Sequence, residues 1–241
     1  MAETSGIEWT DATWNPWYGC HKVSPACAHC YAERDMTRYG RDFDTVTRAS
    51  DATFYAPLKW KEPRKVFTCS WSDFFIEEAN EWRVDALRVI AKTPRHTYQV
   101  LTKRPEQMFN SKYGLSGLEF PWPNVWLGVS CENERFYGRV SLLVEMPAVV
   151  HYLSIEPMLG DMRDVPLRGI EWVIVGTESG SGARFTDLDW IRRIRDKCKV
   201  EGVAFFVKQL TTKGGIKIPF ESWPEDLQVR EMPGSIVGRS K

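Results

Sequence analysis

The stretch from Trp172 to Val207 carries the pattern that decides the fold. It begins with the apolar run Trp172-Val173-Ile174-Val175, passes through a helical pattern from Asp187 to Glu201, and ends with the apolar run Ala204-Phe205-Phe206-Val207. Both runs are short, apolar on both faces and rich in Val, Phe and Trp, which is typical of strands buried in a parallel sheet. The helical pattern ends at Gly202, a common residue just after a helix. A strand, a helix and a strand in this order predict a βαβ unit.

The same alternation extends over most of the chain. A second helical pattern runs from Glu81 to Lys92 and ends before Pro94. Four further strand-like runs are Val66 to Cys69, Tyr98 to Leu101, Val125 to Val129 and Val149 to Leu153. Six such runs predict an α/β fold, specifically a partial or closed TIM-like (β/α) barrel. A chain of 241 residues suits one such barrel, so we expect a single domain over residues 1–241.

Polar and charged residues follow every one of these strands. The segments are Ser70 to Asp73, Thr102 to Pro105, Ser130 to Asn133, Ser154 to Pro157, Gly176 to Gly180, and Lys208-Gln209. Taken singly, each is an ordinary loop charge or helix cap. The carboxyl ends of barrel strands converge on one face, where the active sites of such barrels are built. Because unpaired buried charge is costly, six such segments together predict a shared polar pocket.

A loop of about residues 15–31 holds three of the six cysteines. Cys20, Cys27 and Cys30 are separated by six and then by two residues. Thiolates this close can converge on one soft-metal centre, and three of them leave a coordination position open for chemistry. The alternative to a metal centre with an open position is a structural zinc site, since His21 or His29 would join the three thiols in a closed four-ligand site. The remaining three cysteines are expected to be small buried apolar residues.

Composition narrows the classes of function. Lys+Arg and Asp+Glu are each 32, so the formal net charge is zero and no overall field attracts nucleic acid. The N-terminus lacks a secretion signal and no apolar run is long enough to cross a bilayer, which predicts a cytoplasmic protein with reduced thiols and no membrane contact. Eleven Trp and the mixed run Lys59 to Lys65 keep open a nucleic-acid-binding module without catalysis, although core tryptophans and a solvated turn explain them better.

Several segments carry a resemblance to a known family. They are the lead-in Asn15-Pro16-Trp17-Tyr18-Gly19-Cys20, the cysteine triplet followed by Tyr31, and the strand ends Leu101 to Pro105, Ser154 to Pro157 and Phe206 to Gln209. Over nearly its whole length the chain resembles the phage-associated Gp37/Gp68 family. That family is related to the radical S-adenosylmethionine enzymes, and its cysteine loop is similar to that of the spore photoproduct lyase branch.

The resemblance implies an activity and its cofactors. In radical S-adenosylmethionine enzymes three cysteines hold a [4Fe-4S] cluster that binds S-adenosylmethionine, and one electron yields a 5'-deoxyadenosyl radical. Cys20, Cys27 and Cys30 match the cluster ligands, with a six-then-two spacing where three-then-two is common. The implied partners are S-adenosylmethionine, an electron donor such as flavodoxin or ferredoxin, a nucleotide or DNA substrate in phage DNA modification or repair, and a possible partner protein.

The resemblance also implies roles at the strand ends. The cofactor-binding candidates are Tyr31, Ser70, Asp73, Ser130, Glu132, Gly176 and Glu178. Glycines in the run from Gly176 to Gly182 would allow close backbone approach to a ligand, although a plain flexible loop is the commoner outcome. The catalytic candidates are Lys103, Glu156 and Lys208, whose lysines would suit an anionic substrate. Structural ion pairs with Glu156 or Glu178 would explain both lysines almost as well.

Overall fold

A seven-stranded parallel sheet is the main element of this α/β fold, in a computed structural model that describes residues 4–116, 118 and 121–234. Its strands are β1 (Ala12–Trp14), β4 (Lys65–Thr68), β5 (Thr97–Thr102), β6 (Val125–Ser130), β7 (His151–Ile155), β8 (Trp172–Gly176) and β9 (Ala204–Gln209), adjacent in that order. A separate antiparallel pair consists of β2 (Trp17–Tyr18) and β3 (Thr47–Arg48). The α/β class and the six predicted strands, β4 to β9, are confirmed, with ends shifted by at most two residues.

The helices lie between these strands in the chain. They are α1 (Tyr31–Arg38), α2 (Asp51–Phe54), α3 (Asn80–Ala91), α4 (Tyr137–Glu145) and α5 (Leu188–Glu201). In α5 the side chain of Asp187 accepts the amide of Asp189, and Gly202 ends the helix with a φ of 65° that costs glycine little. Buried Ile191, Ile194 and Cys198 give it one apolar face. Both predicted helices, α3 and α5, are confirmed within one residue at each end.

The chain divides into two compact units, and the first comprises Met1–Gly128 and Glu145–Val149. Its core is aromatic: the ring of Trp14 lies 5.7 Å from Tyr98 and 6.3 Å from Phe54. The buried Arg83 of α3 donates to the carbonyl oxygens of Phe74 and Ile76. A buried guanidinium that donates to two carbonyl oxygens fixes the backbone that follows β4.

The second unit comprises Val129–Val144 and Val150–Lys241. Its strands pair in parallel, with Tyr152 opposite Trp172 and Trp172 opposite Ala204. Since α5 connects β8 to β9, the predicted βαβ unit is confirmed. The fully buried Trp172 donates its ring N–H to the carbonyl oxygen of Glu231, which ties the segment after residue 228 to β8. Across the described residues of the whole chain, none of the helices is both long enough and apolar enough to cross a bilayer.

Candidate functional site

The cysteine loop, predicted over about residues 15–31, belongs to the first unit; because Trp17–Tyr18 form β2, it runs from Gly19 to the start of α1. Its first residue, Gly19, has a φ of +90°, and a Cβ there would lie 2.4 Å from the carbonyl oxygen of Thr45. Only glycine fits this backbone without a shift. The amide of Gly19 donates to the Trp71 carbonyl at 3.1 Å, and that of Cys20 donates to the Phe43 carbonyl at 2.9 Å. The loop therefore starts from a fixed position.

All three cysteines of the loop are partly buried and free of disulfides. Cys20 and Cys30 pack against an apolar cluster formed by Tyr18, Ala32, Met36, Phe43 and Ala49. In α1 this cluster uses Ala32 and Met36, which are four residues apart and so share one face of the helix. Partial burial protects the thiols while leaving a side open to ligands.

The electrostatic surroundings of Cys20 and Cys27 differ. Burial, together with the carboxylate of Asp73, raises the pKa of the Cys20 thiol to about 11, although the guanidinium of Arg104 acts in the opposite direction. Burial also acts to raise the pKa of Cys27, but the charge of Lys103 and hydrogen bonds from Val23 and Ser24 outweigh it, so that this pKa is lowered. Two adjacent cations of the first unit thus act on two different thiols of the loop.

Arg104 joins the cysteine loop to the ends of β4 and β5. Its guanidinium donates to the Cys20 sulfur at 3.7 Å and to the His21 carbonyl at 3.0 Å. The same guanidinium lies 3.2 Å from a carboxylate oxygen of Asp73. Both charged side chains are nearly buried, at 11% and 7% exposure. This pair therefore holds the loop against the sheet and places a positive charge beside the first thiol.

Asp73 is the centre of a dense hydrogen-bond network. One carboxylate oxygen accepts the hydroxyl of Thr102 at 2.5 Å and the amide of Phe75 at 2.9 Å. The other accepts the amide of Lys103 at 2.8 Å and faces Arg104. With both oxygens occupied, this carboxylate positions the residues after β5 rather than offering an empty acceptor to a ligand.

Ser70 and Tyr31 are brought together, as their shared assignment to one site requires. The Tyr31 hydroxyl donates to the Ser70 carbonyl at 2.8 Å, and the Ser70 hydroxyl exchanges hydrogen bonds with the Asn15 amide at 3.0 and 3.2 Å. Just before Ser70, Cys69 has a φ of 65°, an uncommon conformation for a residue with a side chain. The start of α1, the lead-in to the loop and the end of β4 thus meet at Ser70.

The donor set suits a soft metal, but the thiols are not gathered on one point. Within residues 4–116, 118 and 121–234, no three His, Cys, Asp or Glu side chains form a group that could hold a metal ion. His21 lies beside Cys20, and its Nε2 is 2.5 Å from a carboxylate oxygen of Glu78. The chemistry of three partly buried thiols in one loop fits a metal or cluster, and binding through all three requires the loop to draw them closer.

In the second unit, Lys208 of β9 and Glu156 after β7 form an ion pair. The ammonium lies 3.1 Å from Glu156 Oε1, and both side chains are mostly buried. Gly176 at the end of β8 leaves space for the Glu156 carboxylate, since a Cβ at Gly176 would lie 2.4 Å from Glu156 Oε1. Gly176 therefore serves a neighbouring side chain, and Lys208 and Glu156 have each other as partners.

Arginines neutralise the two remaining acidic candidates of the second unit. Glu132 is fully buried and lies 3.2 Å from Arg139 of α4, which also donates to the Ser130 carbonyl at 3.0 Å. Glu178 is almost as deeply buried and binds the guanidinium of Arg184 as well as its amide. Ser130, Glu132 and Glu178 are thus held in local networks of this unit.

The sequence did not single out the arginines that complete these networks. Arg104 follows Thr102 by two residues, so in an extended backbone their side chains reach the same side, where Asp73 meets both. Arg139 and Arg184 follow their glutamates by seven and six residues. An arginine six or seven residues after an acidic strand end is the signal that could have found Arg139 and Arg184, and no such local signal exists for Arg104.

The fold and the site define a class: an α/β protein with a parallel sheet and a cysteine loop anchored at the carboxyl ends of two strands. Within that class, the chain belongs to the family described as a protein of unknown function (DUF5131), whose pattern matches residues 4–229. No curated protein and no solved structure matches the chain.

Proposed function

We propose that this protein is an iron–sulfur enzyme of the radical S-adenosylmethionine type, with a partial (β/α) barrel and a nucleotide or nucleic-acid substrate. One observation carries the proposal: a loop with three partly buried thiols is held at Cys20 and His21 by Arg104, whose ion pair with Asp73 lies at the carboxyl ends of two parallel strands. Those strand ends are where barrel enzymes build their active sites. When bound, the cluster and S-adenosylmethionine would supply a 5'-deoxyadenosyl radical for hydrogen abstraction from the substrate.

The residues of the chain have distinct tasks in this proposal. Cys20, Cys27 and Cys30 hold the cluster as thiolates. Arg104 and Lys103 offset the negative charge that collects on those sulfurs, because a thiolate in a partly buried loop is costly without a nearby cation. Asp73 is a positioning residue, since it fixes Arg104 and the Lys103 amide. Tyr31 and Ser70 hold the start of α1 beside the loop.

The strand ends of the second unit supply the remaining candidates. Three candidate acids of this unit form ion pairs: Glu156, Glu132 and Glu178. The Glu156 carboxylate, paired with Lys208, is the most exposed of the three, at 14% against 0% for Glu132 and 5% for Glu178. A substrate anion can compete with a partly exposed carboxylate for a lysine more easily than with a sealed one. In this proposal Lys208 therefore binds the anionic part of the substrate, and Glu132 and Glu178 shape the strand ends from within.

The test is anaerobic reconstitution with iron and sulfide, followed by metal analysis and a 5'-deoxyadenosine assay with reductant and S-adenosylmethionine. We expect iron and sulfide uptake near one cluster per chain, and reductant-dependent 5'-deoxyadenosine. Cys27→Ala should abolish both, whereas Cys198→Ala, a change at a buried cysteine on α5, should abolish neither. Iron uptake without 5'-deoxyadenosine would leave a cluster protein that is not a radical enzyme.

A zinc site is the second candidate, because the geometry at His21 resembles a zinc ligand with its supporting carboxylate. Metal-bound histidines usually pass their other ring nitrogen to a carboxylate, and His21 Nε2 meets Glu78 in this way. Nδ1 of the same ring would then join the three thiols in a closed four-ligand site. Full zinc occupancy without iron uptake, together with loss of the zinc in His21→Ala, would establish this alternative and overturn the radical enzyme.

A further inference from the structure

An aromatic surface lies on the outer side of the cysteine loop. Tyr39 directly follows α1, and its ring centroid is 5.8 Å from that of Trp71 with 33° between the planes. Trp71 in turn lies 6.1 Å from Tyr18, and the guanidinium of Arg41 stands 4.6 Å over the Tyr18 ring. We call these four side chains the Tyr39 platform. The Tyr39 side is open to solvent, since this residue is 68% exposed.

The platform continues the same cluster that holds the thiols. Trp71 and the thiols of Cys20 and Cys30 all pack against the apolar cluster around Tyr18 and Met36. In addition, the Trp71 carbonyl accepts the amide of Gly19, the residue before Cys20. A ligand stacked on Tyr39 would therefore lie beside the loop, within the same unit.

Two arginines close to Tyr39 in the chain are available to an anion. Among the described residues, Arg38 in the last turn of α1 and Arg41 have no ion-pair partner. Asp42, the acid next to Arg41, keeps its charge but forms no ion pair with Arg41; it accepts the Thr45 hydroxyl at 2.5 Å and the Asp44 amide at 3.1 Å. An exposed aromatic ring beside an arginine that has no ion-pair partner is an element that binds single strands, in which a base stacks on the ring and a phosphate meets the guanidinium group.

Most other tryptophans that could have stacked bases are not accessible. Trp9, Trp14, Trp17 and Trp60 are buried, and Trp60 lies against His96 in the interior instead of serving the basic run around it. Trp71 is partly exposed, as are four other tryptophans, Trp82 among them, and Trp71 stacks against the exposed ring of Tyr39. The burial of Trp60 argues against base stacking at Lys59 to Lys65, and the Trp71–Tyr39 pair favours the platform.

We propose that the Tyr39 platform binds single-stranded nucleic acid, with an unpaired base stacked on Tyr39 and the neighbouring phosphate at Arg41. The inference rests on the proposed function for its substrate class and narrows that class to strands with exposed bases. A duplex is excluded from this mode, because its bases are stacked on one another and offer no free face.

The test measures binding by the metal-free protein, so that it does not depend on the cluster. Fluorescence anisotropy is recorded with labelled single-stranded DNA of about 12 nucleotides, and with the same sequence as a duplex. Tyr39→Ala should weaken single-strand binding roughly 10-fold or more, because one base–aromatic stack is lost. Tyr39→Phe keeps the ring and should bind like the unmodified chain. Phe185→Ala, at an aromatic residue of the second unit with 61% exposure, is the matched control and should change nothing.

Arg41→Gln should lower the slope of log affinity against log salt by about 0.7, the value for one phosphate contact on a single strand. Equal binding by Tyr39→Ala and the unmodified chain, or tighter binding of the duplex, would overturn the platform. Iron uptake and 5'-deoxyadenosine are measured on the unmodified chain in parallel. If that chain takes up iron and forms 5'-deoxyadenosine but binds no single strand, the platform is wrong and the proposed function stands. If it binds single strands through Tyr39 but does neither, the reverse holds.

Discussion

Substitutions at Asp73 and its partner Arg104 should affect the free energy of unfolding and the uptake of iron differently. Its carboxylate accepts Thr102, Phe75 and Lys103 and faces Arg104, all at 2.5–3.2 Å. Asp73→Asn keeps the shape but removes the charge and turns one acceptor oxygen into a donor. Whichever way the amide is turned, two donors lose their acceptor, and one orientation also sets NH₂ against the guanidinium.

The structure sets the size of the effect. A lost hydrogen bond costs about 1 kcal/mol when both groups are neutral and about 1.5–3 kcal/mol when one is charged. Removing one partner of a buried ion pair costs about 3–5 kcal/mol, and the 11% exposure of Arg104 places this pair at the low end. We therefore expect Asp73→Asn to lower the free energy of unfolding by about 3 kcal/mol, or Tm by about 6–12 °C for a chain of this length.

The assay is urea unfolding followed by both circular dichroism and tryptophan fluorescence. Asp189→Asn serves as the control, because Asp189 forms an exposed ion pair with Arg192 at 2.8 Å and should cost under about 1 kcal/mol. Adding Arg104→Met to Asp73→Asn removes the uncompensated cation, so at least about 1 kcal/mol should return. The double variant still lacks the donor to Cys20 and the His21 carbonyl, so its iron uptake should stay low. A loss no larger than that of Asp189→Asn, or restored iron uptake in the double variant, would refute the reasoning.

Two further predictions concern single contacts. Gly176→Ala should cost about 1–3 kcal/mol, because the new Cβ would meet the Glu156 carboxylate at 2.4 Å and displace it; Gly138→Ala on α4, with no atom within 4 Å of the added Cβ, should be neutral or stabilising in the same melting experiment. Tyr31→Phe removes the donor to the Ser70 carbonyl and should cost about 1 kcal/mol in urea unfolding, and an unchanged unfolding midpoint would contradict a role for that bond in holding α1.

The regular elements could be predicted where burial is two-sided or periodic. The runs of β6 and β8 are apolar along most of their length, and α5 has an apolar face with a cap at each end. β1 escaped prediction because it has three residues, Ala12–Trp14, within a stretch rich in tryptophan. α1 escaped because only Ala32 and Met36 are buried along its eight residues, too few to form a visible periodic face.

The sequence could predict which residues belong to the candidate site better than it could predict which side chains they bind. Ser70 and Tyr31 were assigned to one site, and they are joined through a hydrogen bond. The sequence points to Lys103 and not to Arg104, because two adjacent cations at a strand end look alike until the backbone decides which side each faces. That decision comes from Asp73, which lies 29 residues before Thr102 in the chain, and no local pattern links residues at such a distance.

The acids after the strands pair with arginines of the same chain, which changes the interpretation of the polar strand ends. The expectation of a shared polar pocket assumed that buried charges after strands lack partners within the chain, yet Asp73, Glu132 and Glu178 each meet an arginine. A buried carboxylate paired with a guanidinium releases it only at a large cost, so each of these three acids holds the strand ends of its own unit and a ligand does not displace it. The groups left for chemistry are those held less tightly by other side chains. They are the thiols of the loop, the ammonium of Lys103, and the more exposed pair of Lys208 and Glu156. Mutating a sealed acid should therefore act through stability and the position of its arginine, whereas changing a thiol or Lys208 should alter cofactor or substrate binding with the fold intact.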